Sequence, residues 1–210
     1  MVRQDQDRRL CGAAVVTWWL RVRLVPTVLM SALAGYTLLL LTVRDGTVIL
    51  PAISVNAGNT VPLAFFLPLL VAGPLAHCLD SRQPHAELTG IRRTAWRDTV
   101  LAAASTAAAL ALTGLVHAVT SADVTLQTGR NTLFLTGLML TARAVLGRAG
   151  IVVPLGWVFA VILLGRRTSS TFHSWAVTAL PPGTGHATAA AALSVTAGVA
   201  ATFITARKLP

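Results

Sequence analysis

Six long apolar stretches punctuate the chain, at Leu24–Val43, Val61–Leu79, Thr99–Val119, Asn131–Gly147, Ile151–Gly165 and Ala187–Ala206. A hydrocarbon core of about 30 Å needs about 20 mostly apolar helical residues to cross it. Four stretches reach that length or fall one residue short of it. The fourth and fifth are shorter and lean on flanking residues or on local thinning of the bilayer. A helix satisfies its own backbone hydrogen bonds where there is no water, so helices are the predicted form. The pattern therefore predicts an all-α polytopic membrane protein with six transmembrane helices. Residues 1–23 precede the membrane domain at 24–206, and 207–210 follow it.

Ahead of the first stretch, Val15, Trp18, Trp19 and Val22 fall at i, i+3, i+4 and i+7, which places them on one helical face. Thr17 and Arg21 occupy another. Trp favours the headgroup zone and Arg reaches lipid phosphates from it. An amphipathic helix on the cytoplasmic surface is predicted over Gly12–Arg23, with Pro26 marking the bend into the membrane; simple extension of the first span is the alternative. Residues 1–10 read as a polar tail.

Pro62, Pro68 and Pro74 recur every six residues in the second stretch, which predicts a bent, partly unwound helix. The connection before it, Arg44–Thr60, reads as irregular and wet. Ala103, Ala107 and Ala111, and again Ala190, Ser194, Gly198 and Thr202, put small residues four apart, a spacing that lets helix backbones approach closely. Gly147–Gly150 leaves room only for a tight turn. Thr171–Leu180 is predicted as a short outer helix, ended by Pro181-Pro182-Gly183.

Composition supports the membrane reading. The chain is 54% apolar and 11% charged, against about 25% charged in soluble domains. Its charge of +10 is spread over juxtamembrane segments, so lipid headgroups are the expected partner and nucleic acid is not. With the N-terminus cytoplasmic, the inner segments hold Arg3, Arg8, Arg9, Arg21, Arg23, Arg82, Arg92, Arg93, Arg97, Arg143, Arg148, Arg207 and Lys208. The outer ones hold Arg44, Arg130, Arg166 and Arg167: 13 against 4. Cytoplasmic loops are the ones enriched in Lys and Arg, so both termini are expected inside, in a bacterial plasma membrane. Cys11 and Cys78 form no CxxC pair and indicate neither a disulfide framework nor a metal site.

No stretch carries an Asp, Glu or Lys well inside it, which argues against ion-driven pumping. The chain has no GxxxxGK[ST] loop, so any ATP-driven role needs another subunit. Pro182-Gly183-Thr184-Gly185-His186-Ala187 resembles one element of the membrane phosphatidic acid phosphatases. The family's two companion elements have no counterpart, and no phosphatase activity is expected.

The connection Asp80–Asp98 holds Asp80, Arg82, Glu87, Arg92, Arg93 and Arg97, and Glu87 is the sole glutamate of the chain. Pro84 is placed to open a short helix over His85–Trp96. A charged helical piece on the cytoplasmic surface suits docking of a soluble partner; a solvated loop is the plainer alternative. An interfacial helix, six spans, a long charged connection after the second, a tight fourth–fifth turn and an outer excursion before the sixth together resemble an ABC-2-type transporter permease. The resemblance covers nearly the whole chain and is architectural. It implies that the chain is no enzyme itself, that ABC ATPase subunits supply ATP and magnesium, and that a second permease subunit, identical or related, completes the complex. It further implies that Asp80–Asp98 couples the ATPase to the spans. The cargo would be hydrophobic or amphipathic and exported, along a path lined by Ser31, Tyr36, Thr37, Trp157 and Phe159. The rival expectation is a non-transport membrane protein, an anchor or assembly factor.

Overall fold

The structure, a computed structural model, describes residues 19–21, 23–43, 46–51, 58–81, 91–168 and 171–208; for 50, 51, 58–60, 91–95 and 206–208 only the backbone is described. Among the described residues six α-helices of twelve residues or more carry the fold. A π-helical turn, Val25–Leu29, runs into α1, Met30–Thr42. Strands β1, Thr47–Pro51, and β2, Gly58–Pro62, form an antiparallel hairpin. A 3₁₀ turn, Leu63–Phe66, leads to α2, Leu69–Asp80. Then come α3, Ile91–Thr120, and α4, Asp123–Leu146. A 3₁₀ turn, Gly147–Ile151, precedes α5, Val152–Leu164, and α6 is Gly185–Lys208.

Five helical segments are long and apolar enough to cross a membrane: Val25–Thr42, Leu63–Asp80, Trp96–Thr120, Asp123–Leu164 and Gly185–Thr205. The chain is an integral membrane protein. The fourth segment folds back on itself. Gly147 takes φ 61 with ψ −133, a backbone state open to glycine. Beyond it, Gly150 lies so close to the last turn of α4 that an added Cβ would stand 2.5 Å from the Arg143 nitrogen. The Phe134 and Trp157 rings then meet at 5.2 Å. On one continuous helix those residues would be about 34 Å apart. Thus α4 and α5 form an antiparallel helical pair, with α5 spanning about 20 Å.

Helix α4 lies at the centre, packed on α2, α3, α5 and α6. Lipid offers no hydrophobic force to drive helix association, so close backbone approach has to supply it. The small-residue row of α6 does this. A Cβ on Gly137 would overlap the Ser194–Val195 peptide, and one on Gly198 would sit 2.6 Å from the Gly137 oxygen. Ser194 Oγ adds a hydrogen bond to the Phe134 oxygen at 2.9 Å. The corresponding row on α3, Ala103, Ala107 and Ala111, is exposed.

The second stretch becomes α-helical only from Leu69, so the three prolines do not share one bent helix as predicted. Pro62 closes β2, Pro68 sits in the turn before α2, and Pro74 lies within α2. The first bend falls at Leu24, in the left-handed region at φ 55, two residues before Pro26.

Several expectations are corrected. Arg44–Thr60 contains a β-hairpin, because Thr47, Val48 and Ile49 face Pro62, Val61 and Thr60 in register and β-branched side chains suit a pleated surface. Between α3 and α4 only Ser121 and Ala122 intervene, Ser121 at φ 51, so Arg130 lies within a helix and not in a loop. Residues 171–184 form turns without a helix. There the carbonyls of Val177, Thr178, Leu180 and Pro181 accept from side chains of α4, in place of the helical N–H four residues on. The predicted helix over His85–Trp96 is helical from Ile91 as the start of α3; residues 82–90 lie outside the described residues. Of the interfacial face, Val15, Trp18 and Val22 lie outside them too. Trp19 is not laid on a membrane surface: it is buried against the core cluster of α1 and α2.

The α4–α6 contact should be the most sensitive packing position. Gly137→Leu is expected to cost about 2–3 kcal/mol, read as a fall of about 5–10 °C in thermal unfolding in mild detergent. Gly156→Ala, where no atom stands within 4 Å of the added carbon, should leave the midpoint unchanged.

Candidate functional site

The ionisable groups collect at one end of the bundle, where α2 finishes and α3 begins. Arg23 is 1% exposed and its guanidinium pairs with Asp98 at 2.9 Å. The same side chain donates to the Leu79 oxygen at 2.8 Å, and its guanidinium carbon stands 5.6 Å from the Trp19 ring centroid. Arg143, near the end of α4, pairs with Asp80 at 2.7 Å and donates to the same Leu79 oxygen at 2.9 Å. The last carbonyls of a helix have no intrahelical partner and carry partial negative charge. Two arginines from different parts of the chain satisfy them here.

Consequently both feet of the 82–90 connection are tied down. Asp80 ends α2 and binds α4; Asp98, in the second turn of α3, binds the segment leading into α1. Beside them lies a cavity of about 330 Å³ lined by Asp80, Asp98, Arg143, Arg148, Thr202 and Thr205. Its polar lining is two carboxylates, the guanidinium groups of Arg143 and Arg148, and two hydroxyls. Among the described residues no group of three His, Cys, Asp or Glu is placed to hold a metal. The site is built for charge pairing.

At mid-bundle, Tyr36 is fully buried and its hydroxyl contacts Thr113 Oγ1 at 2.8 Å and Thr132 Oγ1 at 3.1 Å. Those threonines also donate to the Ala109 and Thr128 oxygens. With both threonine protons on backbone oxygens, the Tyr36 proton goes to one threonine at a time, Thr113 being the nearer, and the cluster joins α1, α3 and α4.

The opposite end is held by donors on α4. Arg130 is buried and donates to the oxygens of Pro181 at 2.9 Å, Val177 at 3.0 Å and Leu180 at 2.7 Å. Asn131 and Gln127 both donate to the Thr178 oxygen, at 2.8 and 3.2 Å. Each hydrogen bond to a charged donor contributes about 1.5–3 kcal/mol, which fastens 176–184 across the end of the bundle. Trp157, Trp175 and Phe134 form an aromatic row beside it.

The residues singled out from the sequence distribute unevenly. Asp80 stands in the charged cluster. Arg97 is half-buried one residue before Asp98. Arg82 and Glu87 lie outside the described residues, and Arg92 and Arg93 fall in the first turn of α3, where side chains are not described. Of the pathway residues, Ser31 and Phe159 are exposed and Tyr36 is sealed in the core. Thr37 donates to the Leu33 oxygen of its own helix, and Ser31 to those of Thr27 and Val28, the usual fate of a hydroxyl on an apolar helix. Trp157 packs on Phe134. Sequence reasoning overlooked the roles of Arg23, Asp98, Arg143, Gln127, Arg130 and Asn131. For Arg143 the signal was present, an arginine inside an apolar stretch.

The Arg23–Asp98 pair is fully enclosed, and removing one partner leaves a buried charge. Asp98→Asn should destabilise by about 3–5 kcal/mol, about 10 °C in detergent. The double variant Arg23→Met/Asp98→Leu should recover more than half of that, since Leu79 keeps Arg143. Asp80→Asn, at a pair 18% and 24% exposed, should cost only about 1 kcal/mol.

No family model, no curated protein and no solved structure matches this chain.

Proposed function

We propose that the chain is the permease subunit of an ATP-driven exporter, crossing the membrane six times with both termini cytoplasmic and coupled to separate ATPase subunits that bring ATP and magnesium. Six crossings draw support from the α4–α5 reversal and from Arg166, just beyond α5, lining the same cavity as Gln127 near the start of α4. The chain thus returns through the bundle after Gly147. The end holding Arg23, Arg143 and Arg148 faces the cytoplasm, as the distribution of basic residues favours.

The observation that carries the proposal is the double anchoring of the 82–90 connection. A push on that connection from a soluble partner reaches α4 through Asp80–Arg143 and the entry to α1 through Asp98–Arg23. An ion pair at contact distance couples the movement of its two helices, most stiffly where it is enclosed, as at Arg23–Asp98. The interior of the single subunit is filled at Tyr36, Leu75, Leu135 and Met139, all fully buried. A path for a hydrophobic or amphipathic cargo therefore runs between two permease subunits and not through one. That filled core equally favours a second function, an anchor or assembly factor that moves nothing.

Purification from native membranes in mild detergent separates the two. The expected result is a complex with vanadate-sensitive Mg-ATP hydrolysis, lost together with the ATPase subunit in Glu87→Arg/Arg92→Glu/Arg93→Glu. Loss of hydrolysis with the subunit still bound is expected in Asp80→Asn/Asp98→Asn. A chain that purifies without any ATPase selects the anchor, and a triple variant that keeps the ATPase and its hydrolysis removes the coupling role of Asp80–Asp98. Accessibility tags placed at 52–57 should read outside and at 82–90 inside.

A further inference from the structure

We propose that the cavity beside the β-hairpin binds a single-chain anionic amphiphile, with its hydrocarbon inside the cavity and its acid group on Arg166. The inference stands apart from the transport proposal and requires no ATPase.

The cavity measures about 230 Å³ and sits between the turn after β2, the start of α4 and the end of α5. Its walls are mostly apolar, with Val61, Ala64, Phe65, Val161 and Ile162 buried around it. A cavity of about 150 Å³ accepts a benzene ring, so this one holds roughly nine carbon atoms. That suits one acyl chain entering by its end and excludes a two-chain lipid. Drug-sized ligands need about 300 Å³ or more.

Charge selects the head group. Among the described residues Arg166, half-buried at the edge, is the one cation lining the cavity, and no carboxylate lines it. Phe172 lies beneath its guanidinium, 5.6 Å from ring centroid to guanidinium carbon, and the two residues are bridged through their backbones. Among the described residues its guanidinium makes no ion pair and no hydrogen bond. Arg23, Arg130 and Arg143, by contrast, are each committed. Gln127 and Asn131, which also line the cavity, each spend one amide N–H on the Thr178 oxygen. The charged donor at the cavity is a planar guanidinium, which matches a carboxylate or phosphate with paired hydrogen bonds. A cationic head meets repulsion, and a neutral one gains only chain burial. The head group belongs either to a free fatty acid or to a lysophospholipid, which share this chemistry.

The test uses the full chain purified in a neutral maltoside detergent, with binding followed by native mass spectrometry and competition. The probes are laurate, lauroyl lysophosphatidylglycerol, dodecanol and dodecyltrimethylammonium. Laurate or the lysophospholipid should bind in a one-to-one ratio; laurate alone assigns the free acid as source, and the lysophospholipid alone assigns the lipid. Arg166→Gln should weaken that binding about tenfold, and Arg166→Lys should retain part of it. Ala179→Trp, which fills the cavity, should abolish it. Arg148→Gln, at the other end, should leave it unchanged, with all variants matching the parent in thermal unfolding. Equal binding of dodecanol or dodecyltrimethylammonium, no binding of either anion, or full binding by Arg166→Gln overturns the proposal.

Discussion

Helix α4 carries a buried arginine, a buried asparagine and four buried threonines through the middle of a membrane bundle, and much of the structure is arranged around giving them partners, although Thr136 Oγ1 and Arg130 Nε have none among the described residues. A polar group without a partner in such a place costs several kcal/mol. The helix meets this in three ways. Thr128 and Thr132 bond back to carbonyls of their own helix. Thr132 also meets Tyr36 across the bundle. Arg130, Asn131 and Gln127 take the free carbonyls of the segment between α5 and α6. That last arrangement explains why this segment remains a string of turns: its oxygens are bonded sideways. It also fixes where α6 enters, and hence the register that brings Gly198 onto Gly137.

The two ends of the bundle are built on different chemistry. At one end, opposite charges face each other across helix termini, and the bonds are few, strong and directional. At the other, a cation binds neutral carbonyls, while Arg166 stands over an aromatic ring beside an apolar cavity. In the proposed coupling the ion pairs transmit force, because displacing one partner exposes the other's charge to a poor solvent. In the proposed ligand site the apolar cavity takes a chain and Arg166 its head group. Under the proposed orientation the force-bearing end meets the cytoplasm and the ligand-recognising end meets the outer leaflet.

Between the ends, helix association rests on surfaces with little bulk. Gly137 against Ser194 and Gly198 lets α4 and α6 touch backbone to backbone, so dispersion acts over many short contacts. The exposed alanine row on α3 has the same character without a partner in the single chain. It borders an apolar groove of about 570 Å³ between α3 and α6.

Local rules of the primary structure decided a good deal. Apolar stretches marked where helices lie, Pro62 and Pro68 marked the irregular entry to α2, and the row Ala190, Ser194, Gly198 and Thr202 marked a close helix contact. These depend on composition and period, which a linear reading captures. The hairpin at 47–62 was hidden because turn residues such as Gly46, Pro51 and Asn56 obscure a short β-branched run whose partner is another such run. The start of α4 was hidden because Gln127 and Arg130 look like loop residues until their acceptors at 177–181 are present. Tertiary structure alone decided which charges pair: Arg23 with Asp98 and Arg143 with Asp80 join residues dozens of positions apart. It also set the Arg166 guanidinium over Phe172 at the edge of an apolar cavity, a placement that depends on how α4, α5 and the turn after β2 pack together.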